Sequence, residues 1–344
     1  MDRIKKNLKA LCLATGVSGL ENEASIVASE MLLNYTKDVS IDHFGNVVGI
    51  IKSSNKNAKT ILLDAHIDEI GMVVTAIDDK GFVKFANCGG IDRRLLSAQL
   101  VTIHGKKDIV GVVGSKPPHL ESKEDADKIA EITDMFIDIG YDKETALQNI
   151  SLGDKITIPS DFVEMLNDRV SCKAMDDRSG VCAILEALEL LKGKELPVNV
   201  AIQFSSREEV GGQGAKIASY TASPDMAIAI DVSFAFTPDA VEHRCGKMGE
   251  GVMIGYHAIL DKTFSDKLLA VAKEKEIKYI VEPMGGSSTG TNADGIILTK
   301  GGVKTALLSI PLKYMHTPIE QVALSDMKET AKLVAEFIQI AGEL

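Results

Sequence analysis

Four apolar runs in this chain each stop at a residue of the kind that binds metal ions. Residues 60–65, 198–204, 226–230 and 304–310 are nearly free of charge and have the length of strands buried on both faces. They are followed by His66 and Asp68, by Glu208 and Glu209, by Asp231, and by His316. Such strands, alternating with helices, predict an α/β fold with a mostly parallel sheet flanked by helices. In an open sheet of that type, ligands collect outside the carboxyl ends of the strands. Residues far apart in sequence are therefore expected in one crevice. Imidazole and carboxylate together there suit a pair of divalent, zinc-like ions.

The bulk properties narrow the classes. A length of 344 residues fits two domains or one large one. The formal charge of −11, with no Lys/Arg cluster, argues against nucleic acid as a partner. No run is long and apolar enough to cross a bilayer. Residues 1–18 read as a short amphipathic helix and not as a signal peptide, because Lys9, Gly16 and Gly19 interrupt the leucines and no Ala-x-Ala site follows. Cys12, Cys88, Cys172, Cys182 and Cys245 form no C-x-x-C pair and read as buried thiols of a cytoplasmic protein.

The chain changes character twice. Residues 1–36 read as helical and 42–51 as a strand. Between about 70 and 163 lies a string of short strand-like runs, at 71–77, 81–85, 100–103, 109–113 and 155–158, with a charged helical patch at 123–133. Beyond 165, helices at 179–191, 263–275 and 325–341 alternate with buried strands. The expected organisation is a catalytic domain built from 1–68 and 164–344, with 69–163 inserted as a small β-rich domain.

Each candidate residue also has a blander reading. His66 lies in Asp-Ala-His-Ile-Asp-Glu, where strand geometry points 66 and 68 to one side. One ring nitrogen is then free for a metal while Asp68 steadies the other; otherwise His66 is a hydrogen-bonded loop histidine. Asp176-Asp177-Arg178 opens a helix, and a helix N-terminus needs only one capping Asp. Asp176 is assigned as a carboxylate bridging two cations, with Asp177 and Arg178 supporting it. Glu208-Glu209 follow a buried strand, and adjacent residues project differently. Glu208 is assigned as general base and Glu209 as ligand. Asp231 and His316 follow buried runs and are ligand candidates. His43, His104 and His257 read as structural, while His119 and His243 are left unassigned.

The segments 64–71, 109–120 (with Gly-Ser-Lys-Pro-Pro-His-Leu), 173–180, 206–212, 229–232, 289–293 and 309–318, in that order, resemble the tetrahedral or glutamyl aminopeptidase family of dinuclear metallopeptidases, some of whose members carry the label endoglucanase. The resemblance implies a zinc-aminopeptidase-like fold and two divalent ions per subunit: zinc, or else cobalt or manganese. One ion would be held by His66 and Asp231 and the other by Glu209 and His316. Asp176 would bridge them, Glu208 would be the base, and Asp68 the partner of His66. The implied activity removes N-terminal residues from short peptides. The inserted domain, barrel-like, would serve oligomerisation into a dimer-built homo-oligomer, up to a dodecamer. Lys313 stands where relatives commonly have Arg, Thr317 where they have Ser, and Thr-Asn-Ala-Asp at 291–294 where Thr-Asp-Ala is commoner. The alternatives are a deacetylase or dipeptidase on the same metals, an endoglucanase, and a non-catalytic assembly protein. The absence of Trp and an aromatic content of 5% weigh against the sugar-stacking platforms a glycosidase needs.

Overall fold

The computed structural model describes residues 2–120 and 128–343. It opens with α1 (Arg3–Leu13) and α2 (Asn22–Leu32). Ile4, Leu8, Leu11 and Cys12 recur at helical spacing and give α1 one buried face. The helix expected over 1–36 is broken between these two, and Gly16 shows why. A Cβ there would strike the buried Arg178 guanidinium, so the chain must pass as glycine. The single strand expected over 42–51 is instead part of a hairpin, β1 (Val39–Ile41) and β2 (Val47–Ile51). Asp42 Oδ1 accepts from the Phe44 and Asn46 amides and closes the turn.

After β3 (Thr60–His66) the chain leaves the main sheet. It forms β4 (Gly71–Ile77), β5 (Val83–Cys88), β6 (Leu100–His104), β7 (Asp108–Val113), β8 (Ile137–Asp138) and, after α3 (Lys143–Asn149), β9 (Lys155–Thr157). These six strands close into a barrel in the order β4-β5-β8-β7-β6-β9. Met72, Val83, Phe85, Val101, Ile103, Ile109 and Ile156 fill it. The entry strand pairs with the exit strand, Met72 opposite Ile156. Of the charged helical patch expected at 123–133, residues 123–127 lie outside the described residues. Over 128–133 there is no α-helix, only the start of a tight 3-10 turn at Ile132–Asp134.

The chain then returns through β10 (Val163–Glu164), β11 (Arg169–Cys172) and α4 (Met175–Leu191). There follow β12 (Asn199–Ser205), α5 (Gln213–Ala222), β13 (Met226–Phe234), β14 (Val252–Tyr256), α6 (Lys262–Glu274), β15 (Tyr279–Pro283), α7 (Ala293–Ile296), β16 (Lys304–Leu312), β17 (Glu320–Ala323) and α8 (Leu324–Ile340). The eight-stranded sheet runs β1-β2-β12-β3-β13-β16-β14-β15. Its centre, β12-β3-β13-β16, is parallel, and antiparallel pairs flank it. The α/β architecture expected from the buried runs is thus present, as a mixed sheet.

Alternation along the strands sorts side chains between two faces. Ile61, Leu63, Ile228 and Ile230 pack in the core under α1, α4, α6 and α8. Leu62, Ala227 and Ala229 face α5 and α7. His66 and Asp231 share the parity of this second set. The strand bearing Asp231 does not stop there: β13 stays in register with β16 from Met226–Lys304 to Phe234–Leu312, so Asp231 lies inside the strand.

Phe337 of α8 is fully buried, with its ring 5.1 Å from that of Phe264. Phe337→Ala should cost about 3–5 kcal/mol through lost burial and the cavity left behind. Denaturant unfolding followed by circular dichroism measures it. A loss under about 1 kcal/mol would mean the core closes over the gap.

Candidate metal centre

A cleft of about 1300 Å³ opens over the carboxyl ends of the central strands. His66, Asp176, Glu208, Glu209, Asp231 and His316 all line it, although they come from separate segments. His66, the last residue of β3, is buried. Its Nε2 lies 3.0 Å from Asp176 Oδ1. Its Nδ1 is 3.1 Å from the Asp68 main-chain oxygen and 3.5 Å from the Asp68 carboxylate. The nearer contact to Asp68 is thus the backbone. The Asp68 carboxylate is engaged elsewhere: it accepts from Ser18 Oγ at 2.6 Å and from the amides of Glu208 and Glu209 at 2.9 and 3.2 Å. Burial would raise this carboxyl, but His66, Ser18 and the Glu208 amide outweigh it and hold Asp68 below its usual range. Asp68 thereby fixes the turn that carries both glutamates.

The two aspartates at the head of α4 divide the work. Regular helical dihedrals begin after Asp177, and Asp177 Oδ1 accepts from the Gly180 amide at 3.0 Å, as an N-cap does. Asp176 is left facing the cleft. Its Oδ2 lies 3.6 Å from His316 Nε2, which is 3.2 Å from Glu209 Oε2. Two sets of donor atoms result, each within 4.8 Å of one another: His66, Asp176 and Asp231, and Asp176, Glu209 and His316. Asp176 belongs to both.

Charge in this site is unbalanced. Asp68, Asp176, Asp177, Glu208, Glu209, Asp231 and Glu320 gather around two imidazoles. Burial, then the neighbouring carboxylates against the pull of His66, pushes Glu208 up to about 8. Burial is also the main cause that raises Glu209, Asp231, Asp177 and Glu320. For His316 burial opposes protonation, yet Glu209 and Asp176 prevail and raise it to about 9. Asp176 and Asp68 likewise lift His66 against its burial. Desolvated acids held up and imidazoles held charged mark a site short of positive charge. Its donors, carboxylate oxygen and imidazole nitrogen, are those divalent first-row ions accept.

Several residues that the sequence reading passed over hold these groups. Buried Glu320 accepts from the Asp176 amide at 3.1 Å and the His316 amide at 2.8 Å, tying the two sides together. Its signal was a carboxylate four residues past His316 inside an apolar stretch. Buried Glu69 pairs with Lys173 at 2.7 Å and with Arg178 at 3.3 Å. Arg178, fully buried, also donates to the carbonyls of Leu11, Ala14 and Ile67. Beneath the cleft, Asp64 accepts from Gln203 and Asn292, and burial raises it to about 6 against those bonds. Of the other histidines, His104 bridges Asp108 and Thr157 within the barrel. The exposed His243 lines the cleft.

The family described as M42 glutamyl aminopeptidase matches residues 45–333. A putative aminopeptidase of Acetivibrio thermocellus is 35% identical over 96% of this chain and 97% of its own. The TET aminopeptidase of the marine sediment archaeon Thaumarchaeota archaeon SCGC AB-539-E09 superposes with a TM-score of 0.92 at 31% identity, over 98% of this chain and 96% of that one. A Pyrococcus horikoshii TET1 peptidase, which can assemble into a tetrahedron or a large octahedral shell, superposes at 0.86 with 31% identity, over 97% and 99%.

Glu69→Ala would leave Lys173 and Arg178 buried without their counter-charge. We expect a loss of about 3–5 kcal/mol in stability. Thermal unfolding beside wild type tests this; an unchanged transition would mean the carbonyl acceptors suffice.

Proposed function

Because the chain belongs to the M42 glutamyl aminopeptidase family, and is thus an aminopeptidase, we propose that it removes N-terminal residues from short peptides with two divalent cations. The observation that carries this reading is the double donor set that shares Asp176. His66, Asp176 and Asp231 would hold one ion, and Asp176, Glu209 and His316 the other. The donors accept zinc, cobalt or manganese. Two such ions supply a water acidified toward neutrality and a polarised scissile carbonyl.

The chain's own residues do the rest. Glu208, in the cleft and absent from both donor sets, takes the proton of the attacking water and returns it to the leaving amine. Burial raises its affinity for that proton, and cations held by the neighbouring donors would favour its ionised form beforehand. Asp68 holds Glu208 and Glu209 through their amides. Glu320 keeps Asp176 and His316 at a fixed separation through theirs. The acidic walls favour the free amine of a peptide terminus, which restricts cleavage to the first bond.

The barrel, within an inserted domain at 69–163, is proposed to serve self-association. Leu100, Val110 and Val112 are exposed on the paired strands β6 and β7. The assembly of the P. horikoshii peptidase supports this reading, with a dimer-built homo-oligomer as the expected form. No described helix is long and apolar enough to cross a membrane.

Two outcomes test the site. Glu208→Gln should retain both cations by elemental analysis while turnover of an aminoacyl amide falls by about 10²–10⁴-fold. Near-normal turnover would remove Glu208 from the role of base. Asp176→Asn should bind under two equivalents per subunit, because one carboxylate serves both positions; retention of two would place the bridge elsewhere.

A further inference from the structure

We propose that Glu282 gives the cleft a preference for peptides that begin with lysine or arginine. This deepens the aminopeptidase reading of the same cleft and rests on it. Glu282 stands on β15, two strands beyond β16, and its side chain reaches back across the same face of the sheet. Its Oε1 accepts from Ser233 Oγ at 2.5 Å and its Oε2 from Ser309 Oγ at 2.9 Å. Both serines locate it relative to the donor residues. Ser309 is the register partner of Asp231 on the neighbouring strand. Ser233 follows Asp231 by two residues, on the same face and about 7 Å further along the strand. Glu282, Ser233, Ser309 and Asp231 line one continuous cleft. The carboxylate therefore lies within about 7 Å of Asp231 along the strand direction, a span suited to the four-carbon stem of lysine.

Glu282, half-buried in the cleft wall, has no ionic partner of its own among the described residues. Burial raises its carboxyl against the bonds from the two hydroxyls, and no lysine or arginine among the described residues pairs with it. Hydroxyl donors favour the ionised form, and each oxygen keeps a further lone pair for an incoming donor. A basic side chain would supply the missing counter-charge. The cleft is open along this wall, since a Cβ at Gly285 or Gly290, which line it with Glu282, would meet nothing within 4 Å. Two cations also line the cleft, but at its rim. Lys216 is exposed and donates to the Gly211 carbonyl at 3.2 Å, and Arg244 is exposed on the turn Glu242–Arg244. Water weakens their fields relative to a charge inside the cleft. The other acidic group of this wall, Asp294, is taken up by Thr289 and the Gly290 amide.

The test measures kcat/KM for the p-nitroanilides of Lys, Arg, Leu and Glu, with the wild-type protein loaded with zinc, cobalt or manganese. Lys and Arg should lead, with Glu last. Glu282→Gln should lower the Lys/Leu ratio by about tenfold or more, the scale of a hydrogen bond to a charged group. Inhibition of the wild type by free lysine, stronger than by free glutamate, reports the same pocket if the variant does not fold. Turnover led by Leu or Glu overturns this proposal alone. An equal loss for all substrates in Glu282→Gln also overturns it, and would assign Glu282 to the peptide's α-amine instead. No turnover of any amide overturns the aminopeptidase reading, and this one with it.

Discussion

Asp176 stands between two imidazoles, Oδ1 3.0 Å from His66 and Oδ2 3.6 Å from His316. That single carboxylate joins two groups of donors that the chain delivers from widely separated segments. Its position depends on a division of labour at the start of α4, where Asp177 caps the helix and leaves its neighbour unclaimed. It depends equally on Glu320, which grips the amides on either side of the gap. Around it the fold assembles more negative charge than buried groups can carry unaided. The sheet tolerates that because the charges face the cleft, Asp231 from within β13 and Asp176, Glu208 and Glu209 from beyond the strand ends.

The surrounding scaffold answers a second problem of charge. Glu69, Lys173 and Arg178 are buried together and reach the carbonyls of Leu11, Ala14 and Ile67. This ties the end of α1, the residues after β3 and the start of α4 into one body. Gly16 belongs to the same arrangement, since any side chain there would strike Arg178. The donor residues therefore inherit their rigidity from contacts made on the far side of the backbone.

Much of this was legible from residue pattern. Buried apolar runs gave the strands, and the ends of those runs named the residues that the structure gathers at one cleft. The same reasoning misjudged where the Asp231 strand stops, because β16 continues alongside and keeps β13 in register. It took 42–51 for one strand, passing over the turn formers Asp42, Gly45 and Asn46, where Asp42 closes the turn. It missed Glu69, Lys173 and Glu320, whose roles come from partners far apart in sequence or from backbone amides that no pattern reveals. Asp68 was read through its carboxylate and His66, yet its oxygens serve the amides of Glu208 and Glu209. Hydrogen bonds to main-chain atoms were the least visible part of the site.

The barrel departs from the sheet after His66, and its first and last strands are neighbours, paired at Met72 and Ile156. It is a closed excursion: the chain leaves and re-enters the core at nearly one place. The register of the central strands is thus independent of how long the excursion is or what its outer surface carries. Sequence drift on that surface leaves the residues of the cleft at their coordinates. The outer strands of the barrel and the donor residues are thus free to change independently of one another.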